Sequence, residues 1–161
     1  MKHIVLTCGQ IAIVDDEDYE WLNKFKWHAQ KHHTDGYYAV RNVRENGIRR
    51  KQYMHKLILG IDGTRTLGDH IDTNKLNNSR NNLRVASFSE NRCNIGITNK
   101  NTTGYKGVYL DKRYNRFYAR IKIGDKLSYL GTFSTAQEAA KNYNESALKH
   151  YGEFARINKI D

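Results

Sequence analysis

From Arg116 to Ile123 the chain alternates without a break, so that in an extended strand Phe117, Ala119, Ile121 and Ile123 fall on one side and Arg116, Tyr118, Arg120 and Lys122 on the other. Such a segment fits neither a helix nor a strand buried on both faces. It fits an antiparallel sheet with one packed face and one wet face. The cover for the packed face stands a few residues on. STAQEAAKNYNESALKHYG carries Thr135 and Glu138 as a capping box and Gly152 as a stop, with Ala136, Ala139, Ala140, Tyr143, Ala147 and Tyr151 at helical spacing. The alanines permit close approach. With YKGVYLD and KLSYLGTF as flanking strands, residues 103–158 are expected to form a three-stranded antiparallel sheet packed on one helix.

The rest of the chain reads as short elements split by turn signals. HIVLT and QIAIVDD form a hairpin about Gly9 and Gln10; Asp15 to Asp18 cap and open a short helix on which Tyr19, Leu22 and Phe25 recur. KWHAQKHH, GYYAVRNVR and IRRKQYMH follow as strands, separated by Thr34-Asp35-Gly36 and Glu45-Asn46-Gly47, the latter a hairpin signal. Residues 1–53 are thus a small β-rich segment. MHKLILG gives a helical turn or two closed by Gly60. LGDHIDTNKLNNSRNNLRVAS then reads as a strand ending at Asp69 and His70, an Asn-rich loop, a strand Leu83 to Ala86, and a helix near Ser87, where Glu90 completes a capping box. Residues 96–102 have few apolar anchors and serve as a linker. The fold class is α+β.

Charge narrows the partners. The formal net charge is +10, and residues 100 to 161 hold twelve basic against six acidic side chains, the largest excess along the chain. A polyanion is the expected partner. Cys8 and Cys93 form no CxxC pair, which removes a disulfide framework and a thiolate zinc site and suits a reducing compartment. The first residues have apolar stretches too short for a signal core or a membrane span, so a soluble, cytoplasmic protein without a membrane partner is expected.

Phosphodiester hydrolysis needs a base for water and a cation to offset charge on the phosphate and on the departing oxygen. His70 suits the first task. Asp69, one strand position away, and Asn91, on the helix after the second strand, offer oxygen ligands to a hard cation. The whole string DHIDTNKLNNSRNNLRVASFSEN resembles the HNH endonucleases, especially the phage intron-encoded homing type, over residues 54–95. That resemblance implies a ββα-metal unit in which His70 is the general base, Asp69 and Asn91 are metal ligands, and Asn82 holds the loop by hydrogen bonds. Asn91 stands where many members have a final His, which moves the expected cofactor to Mg2+ or Mn2+ and away from zinc. Arg84 is open between a phosphate contact and a structural role. So is His55, between packing and reaching the site. His3, His28, His32 and His33 lack a ligand partner at suitable spacing.

GYKGVYLDKRYNRFYARI and YLGTFSTAQEAAKNYNESALKHYG resemble the DNA-binding domain of the plant Apetala-two or ethylene-response-factor family, over residues 103–158. The resemblance implies a sheet laid in the major groove of double-stranded DNA by Lys106, Tyr109, Arg113, Arg116, Arg120, Lys122 and Tyr129, with Tyr118 on the same basic face. Tyr109 replaces an Arg of the plant pattern, Tyr129 a Trp and Arg120 an acidic residue, so the target sequence does not carry over. Six such contacts to phosphate imply a log–log salt slope of about −5. Arg41, Arg44, Arg49, Arg50 and Lys51 crowd the hairpin before the motif and either extend the footprint or form a solvated surface. The expected protein is a metal-dependent, sequence-directed endonuclease in a bacterial or phage-infected cell. It nicks as a monomer and needs a homodimer or a second binding event for a double-strand break. The competing reading is a DNA-binding regulator with an inactive nuclease module.

Overall fold

The computed structural model describes residues 1–31, 36–61, 66–97 and 101–160. His32, His33, the Thr34-Asp35 part of the expected turn, residues 62–65 before the motif and residues 98–100 of the expected linker lie outside the described residues. The chain divides into two compact units, Met1–Phe88 and Ser89–Asp161. Mixed helix and small antiparallel sheets make it α+β, and among the described residues no helix is long and apolar enough to cross a membrane.

In the first unit β1 (Lys2–Val5) and β2 (Ile11–Val14) pair as the expected hairpin, followed by α1 (Asp16–Leu22). Two expectations for this helix need correction. Asp15 is the N-cap residue, but its side chain makes no cap bond; its Oδ2 instead accepts the backbone N–H of Arg80 at 2.7 Å. Phe25 lies beyond the end of the helix, where its half-exposed ring carries the Arg41 guanidinium 3.5 Å from its centroid. β3 (His28–Lys31), β4 (Tyr37–Glu45) and β5 (Ile48–Tyr53) form a sheet in that order. Positive φ at Asn46 and Gly47 (50° and 80°) makes the tight β4–β5 turn that an Asn-Gly pair favours. α2 (Met54–Ile58) leads to β6 (Leu67–His70), which pairs with β7 (Leu83–Ala86); α3 (Phe88–Cys93) starts at the last residue of this unit, and its remaining residues belong to the second.

The β1–β2 hairpin, α1, β4, α2 and β7 share one core. Ile4, Leu6, Ala12, Val14, Leu22, Trp27 and Ala39 pack with Met54, Ile58 and Leu83, so a boundary drawn between residues 53 and 54 runs through packed side chains. Each fully buried Leu contributes ~1.5–3 kcal/mol, and Trp27 satisfies its buried Nε1–H on Leu22 O at 2.8 Å. Polar contacts tie the N-terminal segment to the Asn-rich loop. Ile13 N–H donates to Leu76 O and Asn78 N–H to Ile13 O, each at 2.8 Å. Arg80 donates Nε and Nη2 to the two oxygens of Asp18, a carboxylate 1% exposed, at 2.8 Å each.

The second unit contains β8 (Val108–Asp111), β9 (Arg116–Ile123), β10 (Lys126–Phe133) and α4 (Ala136–Tyr151), with β9 central. The capping box at Thr135 and Glu138 closes in both directions. Val108, Ala119 and Ile121 of the sheet bury against Ala139, Ala140, Tyr143 and Ala147. Gly107 lets the sheet lie directly on the helix: a Cβ there would stand 2.2 Å from the Tyr143 ring, and its φ is 74°.

Candidate active site and nucleic-acid interface

The β6–β7 ladder sets Asp69 opposite Arg84 and His70 opposite Leu83. Asp69 and His70 are 5% and 4% exposed. Gly68 precedes them because a Cβ at that position would come within 2.5 Å of His55 Cδ2. The His55 ring therefore lies against β6, its centroid 4.9 Å from that of His70. Tyr38 stacks near both imidazoles, at 5.3 Å from His55 and 6.1 Å from His70, and Tyr53 stands 5.7 Å from His55.

Burial dominates the electrostatics of the pair. It lowers His55 to about 3, helped by the neighbouring His70 and Lys56. It lowers His70 too, opposed by the Asn78 contact and by the charges of Asp72 and Asp69. Both rings are neutral at pH 7, which for His70 is the form able to take a proton. Asn78, fully buried, turns Nδ2 to Leu76 O at 3.1 Å and Oδ1 to His70 Nε2 at 3.4 Å.

Asn82 clamps the loop. Its Oδ1 accepts the Asp72 N–H at 3.0 Å, and its Nδ2 donates to Asp72 Oδ1 at 2.9 Å and to Asn77 O at 2.8 Å. Asp72 also accepts from Asn74 N–H and Asn77 Nδ2, each at 2.8 Å. Between them Thr73 is held at φ 68°, a left-handed conformation rare for a β-branched residue. Arg84 closes on Asp69, with Nε and Nη2 each 2.8 Å from Oδ2.

The structure thus brings Asp69, His70, Asn82 and Arg84 together on the hairpin and its loop. Asn91 is half-buried on α3 and belongs to the second unit. Among the described residues no three His, Cys, Asp or Glu side chains gather as a metal centre. A cation on Asp69 would complete its shell with amide, water or phosphate oxygens, a donor set that fits Mg2+ or Mn2+.

On the second unit the outer sheet face is aromatic and basic. Tyr109 stacks on Tyr118 at 5.3 Å, Tyr129 lies 6.5 Å from Tyr118, and the Arg120 guanidinium sits 4.7 Å and 5.0 Å from the Tyr109 and Tyr118 centroids. The buried Arg120 Nε has no hydrogen-bond partner among the described residues. Arg116 and Lys122 are exposed, Lys122 near Asp125 at 3.6 Å, and Arg113 sits in the β8–β9 turn over Tyr114. Lys106 is set apart from these: it precedes β8, its Nζ donates to Cys93 O, and burial lowers it to about 8.

Sequence reasoning passed over Asn78, Tyr38 and Gly68. Asn78 is one of many asparagines in NKLNNSRNN, and only the folded loop separates the one that faces His70.

No family model matches the chain. It is 30% identical over 154 residues to an uncharacterized HNH endonuclease of Acanthamoeba polyphaga mimivirus, a match covering 95% of this chain and 77% of that protein. It is 32% identical over 89 residues to Protein 3.8 of Escherichia phage T7, covering 55% of this chain and 73% of that one. A 63-residue stretch, 35% of the chain, is 43% identical to 11% of an AP2-like ethylene-responsive transcription factor of Arabidopsis thaliana.

Proposed function

The chain belongs to the HNH endonuclease family, and from that premise we propose that it is a sequence-directed DNA endonuclease of the homing type that uses Mg2+ or Mn2+. The observation that carries the reading is a neutral, buried His70 next to the Asp69 carboxylate, on a hairpin whose loop Asn82 holds rigid. With Asn78 Oδ1 facing Nε2, the proton belongs on Nε2 and the basic nitrogen of His70 is Nδ1. His70 then takes the proton from the attacking water. Asp69 supplies a carboxylate oxygen to the cation, and Asn91 is assigned an amide oxygen by its place in the motif. The cation, when bound, supplies charge to offset the phosphate and the departing 3′ oxygen.

Affinity and register come from the aromatic and basic sheet of the second unit on double-stranded DNA. Tyr109, Tyr118, Tyr129 and Arg120 present π-faces and a stacked guanidinium, and Arg113, Arg116 and Lys122 present cations to phosphates. One such catalytic site cuts one strand, so a monomer nicks.

Purified protein should convert supercoiled plasmid to open circle with Mg2+ or Mn2+, and should not do so in EDTA. His70→Ala should lose about 10² to 10⁴ in rate while still binding DNA. Wild-type protein that binds its selected DNA site tightly and never cuts it would instead be a DNA-binding regulator.

A further inference from the structure

The β4–β5 ribbon of the first unit has two faces that differ in one respect. On one, Arg41 donates to Gln52 and lies over the Phe25 and Trp27 rings, and Arg50 stands 3.8 Å from Glu45. On the other, the register sets Val40 opposite Tyr53, Asn42 opposite Lys51 and Arg44 opposite Arg49. Asn42, Arg44, Arg49 and Lys51 are all exposed, and among the described residues no carboxylate pairs with these three cations. Two arginines directly across a ladder repel and weaken it. A sheet that keeps that pair exposed is suited to an anion lying across both.

The same face runs back to the site. By strand alternation Tyr38 lies on the same side as Asn42 and Arg44, beyond the buried Val40; its ring stands beside His55 and His70, and that of Tyr53 beside His55. Lys75 Nζ lies 5.8 Å from the Tyr38 ring and adds a cation at that end. Same-face residues on a strand repeat every ~7 Å, and two steps along one DNA strand advance about the same distance along the duplex axis.

We infer that the Asn42, Arg44, Arg49 and Lys51 face of the β4–β5 ribbon docks the phosphate backbone of the substrate duplex on one flank of the cleaved bond. The first unit thereby holds DNA independently of the second unit's sheet. This rests on the endonuclease reading and adds a binding surface to it.

The test uses the full chain and a short DNA duplex in EDTA, with affinity followed against salt. Arg44→Gln/Arg49→Gln/Lys51→Gln should lower the steepness of the log–log salt dependence by about 2 to 3, with melting no lower than wild type. Arg49→Gln alone should lower it by about 1, a second readout at an exposed position. Arg50→Gln, on the opposite face, should leave affinity and slope as they are, and Arg44→Lys/Arg49→Lys should keep the slope. If the Gln variants retain wild-type slope and affinity, or if Arg50→Gln weakens binding as much, the docking face is overturned while the endonuclease reading stands. Wild-type protein that ignores duplex DNA and binds structured RNA instead would overturn both.

Discussion

Arg84 grips Asp69 across the β6–β7 ladder, with Nε and Nη2 both 2.8 Å from the same oxygen, Oδ2, and both side chains largely withdrawn from water. A carboxylate assigned to a cation is thus already compensated by a guanidinium. That arrangement keeps the buried charge tolerable in the absence of metal, and it places Arg84 where a substrate phosphate would compete for it.

Removing the guanidinium should expose this dependence. Arg84→Ala takes the guanidinium away from a buried carboxylate, a loss of ~3 kcal/mol for breaking such a pair, and the protein should melt lower. Added Mg2+ should then raise the melting temperature of the variant more than that of wild type, because the ion replaces the lost charge. Equal Mg2+ shifts in the two proteins, read by differential scanning fluorimetry, would argue against Asp69 as a ligand.

The buried imidazoles predict acid sensitivity. The folded His55 titrates at about 3 against an ordinary value of 6.5, and His70 is also lowered. Between those values the unfolded chain binds protons that the folded chain refuses. Stability is therefore intact above about pH 6.5 and falls as pH drops toward 3, by ~1.4 kcal/mol per pH unit for each fully shifted group. His55→Phe keeps an aromatic ring over Gly68 and removes one proton site. Its melting temperature should fall less steeply between pH 6 and pH 4 than that of wild type, and parallel curves would remove His55 as the cause.

Elements with a local cause were legible in the sequence. The capping box at Thr135, the Asn-Gly turn at Asn46, the alternation through β9 and the pair of strands around the Asn-rich loop all stand where residue pattern put them. What escaped depends on contacts between distant residues. Asp15 is a good cap by type, yet it serves the backbone of Arg80, and Asp18 in the first turn of α1 is the buried partner of the same arginine. The site shows the same limit. Asp69, His70 and Asn82 stand out by motif, whereas Asn78 faces His70 in a loop that Ile13, more than sixty residues away in sequence, holds on the N-terminal hairpin.

Two glycines close together in sequence should respond very differently to a methyl group. Gly104 and Gly107 both have positive φ, 76° and 74°, but nothing lies within 4 Å of a Cβ at Gly104, while one at Gly107 would meet the Tyr143 ring at 2.2 Å and Arg120 O at 2.7 Å. Gly104→Ala should lose only the conformational strain, about 1 kcal/mol. Gly107→Ala must part β8 from α4 and should unfold the second unit, with loss of the Tyr143 packing signal in near-ultraviolet circular dichroism. Similar losses at both positions would mean that backbone strain rather than close packing governs the site.

The sheet cations should separate by what each touches. Arg116 is exposed and needs only its charge, so Arg116→Lys should bind like wild type and Arg116→Ala should lower the salt slope by about 1. Arg120 is stacked against Tyr109 and Tyr118 with a desolvated Nε. A lysine keeps the charge there but not the planar stack, so Arg120→Lys should weaken binding at every salt concentration with little change in slope. Single-turnover cleavage of DNA already bound should be unchanged in both, because neither side chain is among those assigned to the proton transfer or to the cation. If Arg120→Lys binds as tightly as wild type, the stack of arginine on tyrosines contributes nothing to DNA affinity and the cation alone suffices.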